Sequence, residues 1–389
     1  MSHKSFHSAR GRVVALGVWA VMGLGLAVCL AAAGRVSLAQ DQSPEAPAIS
    51  WGKKVIDNTV DRTHVALGAD LDGDNDMDVV ATDYVDHDLY WYQNTGNLNF
   101  TRKVVDANLQ GAYPAGVGDF DKDGDIDIFA AGYLADTFAW YRNNGQGNFT
   151  RVNIDTNSNG AHSIVMADLD KDGDNDFVTS SQDGNTIAWY ENRGTTNYTR
   201  HIIDNNARGA KRAEVADING DGDLDVVTAA YNNDEIAWHE NNGNEQFSKH
   251  VIDHTANGAY YASPADIDRD GDIDIYAASK LDNTIAWYEN KGANGFTAHN
   301  IDTRANQART VLAVDMDRDG DMDALAASVN DDTIAWHRNN GHGTFTKQVI
   351  DNRSNGAYWA SGVDMDRDGD IDVLSASRNA KAIAIHTQN

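Results

Sequence analysis

Five carboxylates at alternate positions of one nonapeptide, Asp168, Asp170, Asp172, Asp174 and Asp176, surround a single glycine, Gly173. A helix face recurs every third or fourth residue and a buried strand carries no such charge, so neither accounts for the pattern. The carboxylates repel one another unless a cation sits among them. Oxygen ligands on alternate residues of a tight turn converge on one point, which suits a hard cation taking about six to eight oxygens. By analogy with an EF-hand loop, the spacing predicts side-chain ligands at Asp168, Asp170 and Asp172, the Asp174 carbonyl, and Asp176 closing the sphere. Gly173 supplies the positive φ that the turn needs. Calcium is expected rather than magnesium, whose octahedron is stricter, or zinc, which prefers nitrogen and sulfur.

The nonapeptide begins at Asp70, Asp119, Asp168, Asp217, Asp266, Asp315 and Asp364, always 49 residues apart. Up to seven calcium ions are therefore expected. The first two of the other copies offer Asp70, Asp72, Asp74, Asp76 and Asp78, and Asp119, Asp121, Asp123, Asp125 and Asp127. The fourth and fifth offer Asp217, Asn219, Asp221, Asp223 and Asp225, and Asp266, Asp268, Asp270, Asp272 and Asp274. The last two offer Asp315, Asp317, Asp319, Asp321 and Asp323, and Asp364, Asp366, Asp368, Asp370 and Asp372. Two copies depart from the pattern. The first has Gly73 at position four and Asn75 at position six, and asparagine tolerates the left-handed conformation. The fourth has Asn219 at position three, still an oxygen ligand.

These loops hold 34 of the 59 acidic residues, so the net charge of −28 is mainly a count of metal sites. Such acidity excludes nucleic acid as a partner, because phosphate binding requires the opposite sign. Nine tryptophans and a strict repeat exclude a disordered, solvating chain. Residues 1–39 read as a secretory signal peptide: Lys4, Arg10 and Arg12 precede an uncharged run from Val13 to Ala33, and small residues follow before Gln40. Retention of that run as an anchor is the alternative; after cleavage no membrane insertion is expected. The only cysteine, Cys29, lies inside it. A secreted or periplasmic, disulfide-free monomer is expected, with a linker over 40–50 and the repeats over 51–389.

What positions the loops is a unit of four short strands. In the third copy these are Gly160–Ala167, Phe177–Ser180, Thr186–Glu191 and Tyr198–Asp204, joined by turns. Four such strands per 49 residues predict an all-β, seven-bladed β-propeller of four antiparallel strands per blade. The last copy stops at a third strand, Ala382–Asn389, whereas Trp51–Asp57 lies one period before Phe100–Asp106. The N-terminal strand should therefore close the last blade and cover two strand edges. Trp91, Trp140, Trp189, Trp238, Trp287 and Trp336 recur in the third strand and are expected between blades, as core.

The D-x-D-x-D-G-D-x-D loops, the Gly160-Ala161 type of pair and the Trp189–Asn192 type of segment resemble the FG-GAP or VCBS-type repeat. That repeat builds the integrin α-subunit propeller and many secreted bacterial proteins, and is similar to repeats of a fungal lectin propeller. The resemblance spans residues 51–389. It implies calcium loops on a lower face and ligands on the upper one, at connections between strands four and one and strands two and three. There the frame varies: His64, Tyr113, His162, Lys211, Tyr260, Arg309 and Tyr358 occupy one repeat position, with Arg212, Tyr261 and Trp359 beside them. Such a ring suits sugar stacking with hydrogen bonding, or an anion held by Lys211, Arg212 and Arg309; the bland reading is a solvated funnel mouth. Glu214 should pair with Lys211 or face channel water. Two functions follow. One is a non-catalytic binding or adhesion module for glycan or protein ligands. The other is a lyase-like polysaccharide enzyme with His162, Tyr260 or Glu214 as acid and base and Arg309 neutralising a uronate. The even spacing, with no insertion to wall off water, favours the module.

Overall fold

The computed structural model describes residues 49–194 and 196–389; the expected signal peptide over 1–39 and most of the expected linker over 40–50 lie outside them. Twenty-eight strands form seven four-stranded antiparallel sheets. The first blade runs Thr63–Ala69, Asp78–Asp83, Asp88–Asn94 and Phe100–Asp106 from the axis outwards. Five further blades repeat this order. The seventh takes three strands from the C-terminal end, and Trp51–Asp57 is its outer strand, antiparallel to Ala382–Gln388. Closure therefore joins residues near the two ends of the repeat array, with Trp51 opposite Gln388.

Side chains explain the radial order. Second strands such as Asp176–Ser181 are buried along their whole length, sandwiched between neighbouring blades. Outer strands such as Phe100–Asp106 carry Thr101, Arg102 and Lys103 into solvent. Inner strands are built of small residues because their neighbours crowd the axis. The tryptophans form the inter-blade core as expected, with Trp91, Trp189 and Trp336 each 1% exposed. Trp238 departs, being half-buried and stacked on His250 at 4.6 Å. At Gly147, with φ +67, a Cβ would overlap the Trp91 indole, so the turn of the second blade can cover the first only with glycine there.

The second strands begin one residue earlier than the spacing suggested. Asp176, the last loop carboxylate, pairs with Ala167 in the ladder. Every acidic loop is thereby a hairpin turn between the inner and second strands, at the lower end of its blade.

Candidate functional site

At the lower end, the last aspartate of each loop anchors it. Asp176 Oδ2 accepts the Leu169 N–H at 3.0 Å, and Oδ1 accepts the Asn192 N–H at 2.8 Å. The same residue thus fixes the start of its loop and the end of the third strand, as do Asp127 and Asp274 in their blades. Asparagine at that strand end stitches blades together: Asn143 Nδ2 donates to Ile126 O and to Leu71 O of the preceding blade.

The first aspartate is different. Oδ1 of Asp119, Asp168, Asp217, Asp266, Asp315 and Asp364 is buried without a hydrogen-bond partner. An unsatisfied buried acceptor costs about 1–3 kcal/mol, more when charged, so six repetitions point to a ligand that satisfies it. Oxygens of Asp168, Asp170 and Asp176 lie within 4.8 Å of one another, as do those of Asp70, Asp72 and Asp78, of Asp266, Asp268 and Asp274, and of Asp315, Asp317 and Asp323. In the second blade the group is Asp119, Asp121 and Asp123. Burial, followed by the Asp170 and Asp172 charges, pushes the Asp176 carboxyl up to about 7. These clusters are able to hold ions, and the donors are oxygen only.

Two features of the loops lay outside the sequence reading. Position four is left-handed in every copy, at Gly73 (φ 73) but also at Lys171 (φ 62) and Arg318 (φ 58). Its long basic side chains reach the next loop: Lys171 meets Asp223, and Arg269 donates to Asp319 O at 2.7 Å. Asn75 is left-handed as expected (φ 73), and its N–H together with that of Gly73 satisfies both oxygens of Asp70. Secondly, Arg142 bridges Asp121 and Asp123, and Arg338 bridges Asp317 and Asp319, whereas Glu191 and Glu289 stand at that repeat position in the third and fifth blades.

At the upper end the seven variable residues do meet, but they do not line an open funnel. Three tyrosines close it. The Tyr113 hydroxyl lies 2.6 Å from that of Tyr358 and 3.1 Å from that of Tyr260, and the latter two are 2.5 Å apart. His64 fills the gap between Tyr113 and Tyr358, its ring centroid 4.5 Å from each. Arg309 lies over the Tyr260 and Tyr358 rings at 4.3 and 4.8 Å. The inner strands converge on the axis at this position, so the large rings pack against each other across it.

Above this floor is a basin of about 340 Å³. Its wall includes Arg62, Lys280 and Arg378 with Tyr84, Tyr133, Gln182 and Tyr231. Sequence reading missed this second ring, although Tyr84, Tyr133, Gln182, Tyr231, Lys280, Val329 and Arg378 also stand 49 residues apart. Variable identity in a fixed register, just past the second strand, was the available signal. Arg62 itself is left-handed (φ 57) where most blades have glycine.

Arg212 and Trp359 are not in the basin. They lie one layer below the tyrosine floor, around a cavity of about 20 Å³ that His162 also lines. Glu214 corrects the expectation made for it. It pairs with Arg212, 2.6 Å from Nε, and lies 3.4 Å from the Tyr261 hydroxyl, not beside Lys211 or open water. Lys211 instead donates to Gln182 Oε1 and stands 3.5 Å from His162 Nε2.

The upper cluster is electrostatically one-sided. Burial, then the charges of Arg378, Arg309 and Arg62, holds the His64 imidazole well below its usual range. Burial and Arg309 likewise lower Lys280. Burial opposes ionisation of Tyr260, yet Arg309, Lys211 and the two neighbouring hydroxyls pull it down to about 7.

Six overlapping segments of the chain match the FG-GAP-like repeat, at residues 70–130, 119–179, 168–228, 217–277, 266–326 and 323–375. No curated protein matches in sequence. Among solved structures, the chain is similar to BBS1N in complex with ARL6DN, soaked with lead. That match has 13% identity and a TM-score of 0.60, and covers 87% of this chain and 96% of that one. The mercury-soaked form of the same complex matches at 12% identity, with the same coverage and TM-score.

Proposed function

This chain belongs to the FG-GAP-like repeat family, and from that premise we propose that it is a secreted, calcium-stabilised, non-catalytic binding module. Its ligand, a glycan or a protein, meets the face opposite the acidic loops. One observation carries the reading: side chains that vary from blade to blade converge on a single basin, whereas the acidic loops recur in all seven. A feature present in every blade belongs to the scaffold, and selectivity belongs where blades differ. BBS1N, a propeller of similar fold, is complexed with ARL6DN, a precedent for partner binding on this scaffold.

Calcium would be held by the position-one, -three, -five and -nine side chains and the position-seven carbonyl, satisfying the orphaned Oδ1 atoms. Extracellular calcium modules bind at roughly 10⁻⁴–10⁻³ M, which suits a chain exported by its N-terminal leader. A glycan array on calcium-loaded protein tests the binding reading. Specific binding that Tyr260→Ala removes supports it; turnover of a bound polymer contradicts it.

The lyase-like reading keeps one specific support, the Tyr260 hydroxyl titrating near neutrality beside Arg309. Glu214 no longer contributes, because the tyrosine floor separates it from the basin. If a uronate polymer is cleaved by the wild type and not by Tyr260→Phe, that reading replaces the module.

A further inference from the structure

Arg212 and Arg309 occupy neighbouring positions of the repeat, and both are buried near the axis. Arg212 has a carboxylate, Glu214, at 2.6 Å. Arg309 has none. It is 7% exposed, its Nε has no hydrogen-bond partner, and its polar contacts are phenol hydroxyls, those of Tyr358, at 3.4 Å, and Tyr260. Burying a charge without a partner is costly, and a protein of net charge −28 had acidic residues to spare for one.

The rest of the basin deepens the deficit. Arg62, Lys211, Lys280, Arg309 and Arg378 all line it, and no carboxylate does among the described residues. The carboxylate whose charge acts on Lys211 is that of Asp183, which already accepts from the Tyr133 hydroxyl at 2.8 Å. Arg62 is placed there in a left-handed conformation that costs a side chain about 1–2 kcal/mol, where glycine would be free of strain. Positive charges collected at one concave spot mark a site for an anion.

We propose that the basin is an anion site for an acidic sugar, with Arg309 receiving the carboxylate and the tyrosine wall receiving the ring. This rests on the binding-module reading and names its ligand class. The cations set the sign of the ligand. Tyr84, Tyr133 and Tyr231 set its body: aromatic faces take the C–H face of a pyranose, while Asn232 offers an amide to its hydroxyls. The volume, about 340 Å³, is at the small end of ligand pockets and takes one sugar residue or a chain end. An acidic peptide would satisfy the charge but leave the Asn232 amide and the tyrosine faces unused.

The test is calorimetry on calcium-loaded protein with four probes: galacturonate and glucuronate oligosaccharides, neutral oligosaccharides of equal length, inorganic sulfate, and an acidic peptide. Acidic oligosaccharides should bind at least about tenfold more tightly than neutral ones, sulfate should compete, and Arg309→Met should lose at least about tenfold, as expected for a charge-assisted contact. The double variant Lys280→Gln/Arg378→Gln, at the half-buried rim, gives a second reading should Arg309→Met fold poorly; it too should weaken the acidic sugar. Equal binding of neutral and acidic sugars, tighter binding of the peptide, or unchanged binding in both variants overturns the proposal. Neutral-glycan or peptide binding that Tyr260→Ala removes would leave the module reading standing while this inference fails. No binding of any ligand at the upper face would end both.

Discussion

The lower loops and the upper basin are opposites built on the same strands. Below, like negative charges crowd around buried oxygens that have no partner. Above, like positive charges crowd around a buried guanidinium whose Nε has none and beside which, among the described residues, no carboxylate lines the basin. Each end lacks a counter-ion, but the deficits differ in kind. The lower one is repeated in six blades at the same atom, so the ion proposed there belongs to the fold. The upper one occurs once, around Arg309, so the ion proposed there is the ligand. Identity across blades separates scaffold from function.

Chelation should break the comparison most severely. With calcium at about ten times its dissociation constant, each site adds roughly 1.4 kcal/mol, so seven add roughly 10 kcal/mol. Excess EDTA should therefore lower the melting temperature by more than about 10 °C, or unfold the chain, in a thermal scan. Arg142 and Arg338 already place a cation across their loops, so calcium titration should show the second and sixth blades filling last. Next in size is Asp274→Ala, which leaves the Ile267 and Asn290 N–H groups unpaired as well as removing a ligand. It should cost about 3–4 kcal/mol by denaturant titration. Asp272→Ala, at the position expected to coordinate through its carbonyl, should cost less than about 1 kcal/mol.

Arg212→Met sharpens the contrast from the other side. It strands Glu214 as a buried, unpaired charge and should cost about 3–5 kcal/mol. Smallest is Arg62→Gly. Relief of the left-handed strain should stabilise the protein by about 0.5–1 kcal/mol, while the loss of one rim cation weakens the acidic ligand severalfold. A destabilised Arg62→Gly would remove the argument that this residue is held there for its charge.

Much of the architecture was readable because a strict 49-residue period turns one blade into seven observations. Strand order, the closing strand Trp51–Asp57 and the tryptophan core follow from that period, and so does the convergence of His64, Tyr113, Lys211, Tyr260, Arg309 and Tyr358. What escaped depends on three dimensions across blades. That Tyr113, Tyr260 and Tyr358 meet rather than splay is decided by how narrow the axis is, which no single repeat encodes. Glu214 looked adjacent to Lys211 along the strand, yet alternation of side chains across a strand puts it with Arg212, two residues away. The second ring at Tyr84 and Lys280 was visible in register, in the connection between strands two and three that the resemblance put on the upper face, but which of its side chains reach the basin is decided only by the fold. Lys and Arg at left-handed position four gave no signal, because sequence alone would assign that conformation to glycine.

The central claim is that Arg309 is kept for a ligand and not for the fold. Its most direct test is the melting temperature of Arg309→Met against wild type, in calcium, without sugar, and at a pH below the Tyr260 titration. Methionine sets an apolar chain in place of the guanidinium over the two tyrosine rings and removes a charge that repels Lys211 and Lys280. An unchanged or higher melting temperature is expected, by up to about 2–4 °C per kcal/mol of relieved repulsion. A fall comparable to that of Arg212→Met would show that Arg309 is already paired within the fold, and would contradict it.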